Sequence, residues 1–220
     1  MTHFSDGLRV GGIFPAGLEP GFPVSPIFVY NIVPATLSAT AVSAAQAVAG
    51  AANLLINGAS ATAGVATFDF PRAVSIVSSN AGDTTQTATV TGIGAYGGTL
   101  SEVITFNGTT TVSGKKAFRT VTSVRVSAAM TGNASVGNTD VLGLPYRVDS
   151  RAYIQTFWDS AFVTTGTFAA ADTATATSTT GDVRGTFVPP TASNGTRRLT
   201  VWIFSPSIDT LNGLYGVPQA

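Results

Sequence analysis

The chain has 220 residues, no cysteine, one histidine, and eleven basic side chains against eleven acidic ones, for a net charge of zero. This excludes a disulfide framework and thiolate chemistry, and it removes the basic excess that binding to nucleic-acid phosphates needs. Charged residues make up 10% of the chain and hydrophobic ones 44%, where an average globular protein is ~25% charged, so much of the exterior is expected to be covered by other protein.

Residues 1–35 read as an extended, proline-rich arm. Pro15, Pro20, Pro23, Pro26 and Pro34 oppose helix and most strand pairing. Between them stand Phe14, Phe22, Phe28 and Tyr30, with Ile13, Leu18, Ile27 and Val29. A disordered tail is poor in such residues, so the arm is expected to lie along a surface, its own domain's or a neighbour's. The prolines also interrupt any secretory apolar core. The uncharged stretch 20–68 is too rich in Pro, Gly, Ala, Ser and Thr to span a membrane.

Residues 36–148 read as a β-rich domain. Its first part, 36–52, is Ala-, Ser- and Thr-rich without a 3.6-residue apolar period and is expected to be extended or loop. Short Val/Ile/Thr/Phe runs then predict strands at 53–57, 65–70, 73–79, 87–91, 102–107 and 118–127. In the last run Phe118, Val124 and Val126 alternate with Arg119, Ser123 and Arg125, as in a half-buried antiparallel strand, and only Val121 breaks the pattern. Asn-Gly at 57–58 and 107–108, with Gly82-Asp83 and Gly132-Asn133, supplies turns. Residues 140–146 read as a junction.

Residues 149–220 read as a second β-rich region with a C-terminal tail. Strands are expected at 151–164, 173–180, 183–188 and 197–204. The run Arg197-Arg198-Leu199-Thr200-Val201-Trp202-Ile203-Phe204 is apolar on both faces at its end, which suits a central or interfacial strand. Leu211, Leu214 and Tyr215 between Pro206 and Pro218 form a second candidate clasp.

Motifs for chemistry fail on context. Gly92-Ile-Gly-Ala-Tyr-Gly97 matches the dinucleotide fingerprint, but a strand follows where a helix must open, so a hairpin loop is expected. Ser113-Gly-Lys-Lys116 lacks a P-loop's upstream glycine and reads as a turn with two solvated lysines. The single His3 sits on the arm, away from any positioned nucleophile. Asn-X-Ser/Thr triplets at 107, 133 and 194 read as turns. No catalytic residue, cofactor or metal is expected, and the chain is not read as an enzyme.

Two stretches carry a resemblance. Residues 64–148, with PRAVSIVSS, KKAFRTVTSV and TDVLGLPYRV, and residues 180–204, with GDVRGTF and GTRRLTVWIF, resemble virion structural proteins of tailed bacteriophages of the capsid decoration, or cement, type. The resemblance implies a protein on the outer capsid surface of a virion that bridges neighbouring subunits of the major capsid protein. It also implies a homo-oligomer, dimer or trimer, without nucleic-acid or membrane partners. The fold expected is all-β, an antiparallel sandwich or barrel-like body with an N-terminal arm and a C-terminal tail. Subunit contacts are expected from Phe14, Phe22, Phe28 and Tyr30 in the arm, Leu211, Leu214 and Tyr215 in the tail, and Arg197 and Arg198. The alternatives are a tail or fibre module that binds a host glycan or receptor, which predicts an exposed aromatic cluster, and a surface depolymerase, which predicts facing carboxylates.

Overall fold

The structure, a computed structural model, describes residues 27–172 and 174–204. In chain order the strands are β1 (Ile27–Ile32), β2 (Ser43–Ala47), β3 (Ala52–Asn53), β4 (Ala61–Thr62), β5 (Val65–Ser78), β6 (Thr87–Ile93), β7 (Thr99–Thr105) and β8 (Val112–Ser113). There follow β9 (Phe118–Val126), β10 (Asn133–Gly143), β11 (Ile154–Trp158), β12 (Ala161–Val163), β13 (Thr167–Ala169), β14 (Thr186–Val188) and β15 (Leu199–Phe204). The only helical turn among the described residues is a 3-10 turn at Arg151–Tyr153. The expected all-β antiparallel body is therefore present, as curled sheets that form a half-barrel or sandwich.

The larger sheet follows the order β13-β14-β10-β5-β9-β6-β7, with β2, β3, β4 and β8 paired onto its members. It curls around one apolar core that includes Phe68, Ile76, Leu100, Phe106, Phe118 and Val136. The smaller sheet has the order β1-β15-β11-β12 and closes a second core with Leu142, Leu144, Trp158, Phe187, Leu199 and Val201. Two long strands serve both cores. Strand β5 gives Phe68 to the first and Phe70 to the second, and β10 gives Val136 and Leu142 in the same way. Strands β13 and β14 continue the larger sheet beyond β10, so residues after 149 contribute to both sheets.

Polar side chains occupy the passage between the cores. Arg72 is fully buried; it pairs with Asp69 at 3.2 Å and lies 4.8 Å from the Phe70 ring centre. Asn138 accepts from Ser38 N at 2.7 Å, Thr139 donates to Ala73 O at 3.1 Å, and Asp140 accepts from Ser193 N at 2.8 Å. These bonds explain why β10 was missed in the sequence, where its Gly, Asn and Asp read as a turn and a junction. Gly137 is needed there, because a Cβ would lie 2.4 Å from Ser38 O.

Other differences have similarly local causes. The two runs at 65–70 and 73–79 are one strand, and the register against β9 shifts between Thr67 and Arg72, which absorbs Pro71. A second shift, where Thr91 faces Ser123 but Gly92 faces Val121, makes a bulge at Thr122. That bulge turns Val121 into the core despite its broken alternation. The run 151–164 divides at Asp159 and Ser160, whose φ values of 53° and 70° make the two-residue turn of the β11–β12 hairpin. Ser160→Gly should stabilise the fold by up to about 1 kcal/mol, since glycine relieves the left-handed strain, as thermal denaturation would report. Residues 174–180 form no strand: Thr177 O accepts from Lys116 Nζ, and Ser178 O accepts from Val103 N. Inside the expected arm, the proline-free run 27–32 pairs fully with β15. Of the rest of the arm, 33–35 are described and form no strand, whereas 1–26 and the tail, 205–220, lie outside the described residues.

Asp83 ties two loops together. It accepts from Ser78 Oγ at 2.6 Å and from the amides of Thr131 and Gly132 at 2.9 Å each. These bonds, the one from Ser78 first, hold its carboxyl below the ordinary aspartate range. Because the folded value is depressed, the stabilisation is complete above the unfolded value of ~3.9 and is lost as pH falls through the folded one. Thermal melts from pH 6 downward should show Asp83→Asn less stable than the parent at neutral pH, with the difference shrinking in acid.

Candidate functional site: an uncharged apolar face

Alternation in the smaller sheet decides which residues meet solvent. The inner row holds Phe28, Tyr30 and Ile32 of β1, Leu199, Val201 and Ile203 of β15, and Ile154 and Trp158 of β11, all packed in the second core. The outer row holds Ile27 and Val29, then Trp202, then Gln155 and Phe157, then Phe162. Register places Val29 opposite Trp202, Trp202 opposite Gln155, and Phe157 opposite Phe162.

The rings touch. Phe157 lies 5.0 Å from Trp202 and 5.7 Å from Phe162, the latter edge to face. Val29 is 61% exposed, Phe162 57% and Ile27 55%, and Trp202 is 38% exposed. Asn31, Thr200 and Phe204 complete the outer row, so within the strands none of its side chains is charged, and the exposed Arg198 lies just before β15. Scattered exposed apolar residues need no explanation, but a contiguous stripe across four strands marks a surface that other matter covers.

The expected contact residues that lie in this sheet fall on its inner side. Phe28 and Tyr30 face inward; Phe28 packs 4.6 Å from Tyr146, and burial raises the Tyr30 phenol above its ordinary range. Their neighbours Ile27 and Val29 are the exposed members of the same strand. Arg197 donates to Thr191 Oγ1 and Ala192 O, so it braces its own loop, and Arg198 is exposed. Phe14, Phe22, Leu211, Leu214 and Tyr215 lie outside the described residues. Of the two tryptophans, Trp158 is buried and donates to Thr191 Oγ1 at 2.7 Å, whereas Trp202 belongs to the outer stripe.

Among the described residues, concavities also lie elsewhere. One of about 220 Å³ is lined by Tyr30, Pro71, Tyr96, Arg119 and Leu144. Its polar groups serve the fold: Tyr96 donates to Pro145 O at 2.5 Å, Arg119 bonds Asp69 O, and Arg184 stacks 4.6 Å over the Tyr96 ring. The other, about 250 Å³, is mostly apolar and runs beside Val141, Thr167, Thr186 and Val188.

The turn at 113–116 differs from expectation. Lys115 is exposed, but Lys116 is buried and donates to Ser101 O at 3.0 Å and Thr177 O at 2.7 Å. Beneath the turn, buried Glu102 accepts from the amides of Lys115 and Lys116, and Asp182 accepts from Ala117 N. This cluster binds the 113–117 turn to the loop before β14. Burial pushes the Glu102 carboxyl up and the Lys116 ammonium down, each opposed by the charges of the other.

Among the described residues no three His, Cys, Asp or Glu side chains gather to hold a metal ion, and no helix is long and apolar enough to cross a membrane. No family model, no curated protein and no solved structure matches the chain.

Proposed function

We propose that the protein is a structural subunit of a phage virion, which decorates the outside of the capsid and bridges neighbouring capsid subunits. The observation that carries this reading is the uncharged apolar stripe Ile27–Val29–Trp202–Phe157–Phe162. Such a face works by packing on protein, and the resemblance of 64–148 and 180–204 to decoration proteins supplies the setting. The ends of the described chain fit the same role: Ile27 and Phe204 are register partners, so the described residues begin and end side by side at one end of the smaller sheet. Several weak attachments made from one end sum to tight, multivalent binding on a repetitive shell.

The purified chain is expected to cosediment stoichiometrically with shells assembled from the major capsid protein and to raise the temperature at which they break. Shells that sediment without it would refute the capsid reading.

The ring cluster Trp202–Phe157–Phe162, with Gln155, Asn31 and Thr200 beside it, favours a second reading, a platform on which a host glycan stacks. Ile27 and Val29 count against it, since a sugar offers hydroxyls that aliphatic side chains leave unsatisfied. Calorimetric titration with host-surface oligosaccharides separates the two readings.

A further inference from the structure

We infer that Arg72, Asp140 and Ser193 form a binding site for one buried water molecule, where β5 and β10 of the larger sheet meet the loop that leads into β15 of the smaller one. This site does not depend on the reading as a virion subunit. Arg72 is fully buried, Ser193 is 4% exposed and Asp140 9%. Yet Arg72 Nε, Asp140 Oδ1 and Ser193 Oγ each lack a hydrogen bond among the described residues. Leaving such atoms unpaired away from solvent is costly, so buried polar groups are nearly always bonded, to protein or to ordered water.

A closed circuit of contacts brings the three side chains together. Ser193 N donates to the other oxygen of the same carboxylate, Asp140 Oδ2, at 2.8 Å. Two residues on, Gly195 N donates to Pro34 O at 3.0 Å. Next to Pro34, Ala35 O accepts from Arg72 Nη1 at 3.3 Å, and Ala35 N shares Asp69 with Arg72 Nη2. From Arg72 the circuit closes across the sheet. Arg72 is the register partner of Leu142, and Thr139 donates to Ala73 O, so Asp140 stands on the stretch of β10 beside Arg72. Burial lowers the pKa of the Arg72 guanidinium, and the charges of Asp69 and Asp140 oppose that effect.

The chemistry of the three atoms selects the occupant. Arg72 Nε can only donate, Asp140 Oδ1 can only accept, and Ser193 Oγ does either. One water accepts from the first, donates to the second and shares a third bond with the hydroxyl, which makes the roughly three bonds usual for a buried water. Asp69 meets the guanidinium at its Nη end, which leaves Nε for the Asp140 side. A cation on Asp140 Oδ1 would face that guanidinium, and an anion on Arg72 Nε would face the carboxylate, so a neutral occupant is favoured over either ion. The water thereby ties the two strands that serve both cores to the loop between β14 and β15, through bonds nearly as favourable as direct ones.

Oxygen-17 magnetic relaxation dispersion of the full chain, which counts waters held inside a protein, tests this. Ser193→Thr keeps the hydroxyl and puts its methyl in the water's place; Ser193→Val replaces both. Each should hold one long-lived water fewer than the wild type. Thr109→Val, on an exposed turn, should hold the same number as the wild type. Circular dichroism shows whether each variant remains folded, and the milder threonine variant guards against loss of the fold in the valine one. An unchanged count in a folded Ser193 variant overturns the inference. So does a melting temperature that shifts in the wild type, and not in Ser193→Val, when choline replaces sodium or gluconate replaces chloride at constant ionic strength, since an ion would then fill the site.

Discussion

Replacing Lys116 by alanine is expected to cost about 3–5 kcal/mol of stability, the loss typical when one member of a buried charged group is removed. Lys116 is only 1% exposed, and its ammonium joins two pieces of chain far apart in sequence, Ser101 on β7 and Thr177 in the loop before β14. Removing it takes the donor from two part-buried carbonyls and takes its positive charge from Glu102 and Asp182, both buried carboxylates. Lys116→Met should recover little, because it restores the stem's volume and not the charge. Full recovery by methionine in urea denaturation would show that packing, and not the ammonium, matters at this position.

Phe187→Ala should cost about 3–5 kcal/mol, and so should Phe118→Ala. Each ring is fully buried, the first in the smaller core and the second in the larger. The more informative expectation concerns cooperativity. Since β5 and β10 run through both cores, damage to either should lower one shared transition. Trp158 and Trp202 both stand in the smaller sheet, so tryptophan fluorescence reports that sheet while far-UV circular dichroism reports the whole. Coincident midpoints in both variants are expected. A fluorescence midpoint that falls alone in Phe187→Ala would mean that the two sheets unfold separately.

The all-β class could be read from the sequence because Val, Ile, Thr and Phe runs alternate between glycine and asparagine turns, and of the Gly92–Gly97 segment residues 94–97 belong to the loop between β6 and β7 while Gly92 and Ile93 end β6. Strand β10 could not, because Asn138, Thr139 and Asp140 find partners in Ser38, Ala73 and Ser193, which are remote in sequence. The buried Lys116 escaped for the same reason: its acceptors are distant carbonyls that no local pattern announces. The candidate face was half visible. Alternation in Ile27-Phe-Val-Tyr-Asn-Ile32 separates two rows without saying which is inside, and aromatic size suggested Phe28 and Tyr30 as contacts. The second core takes those two because Tyr146 and Leu144 offer them a surface, and this leaves Ile27 and Val29 outside. For Trp202, apolar character on both faces of the last strand was the signal.

The pairing of β1 with β15 has a consequence for biosynthesis. Ile32 finds its partner Leu199 only after more than 160 further residues have been added, and Ile27 must wait for Phe204. Contacts this far apart close slowly. While the ribosome is still making the larger sheet, β1 has no strand beside it, and its apolar inner row has no partner. The smaller sheet is thus the last part of the body to be completed during translation, and its surface is the last to mature.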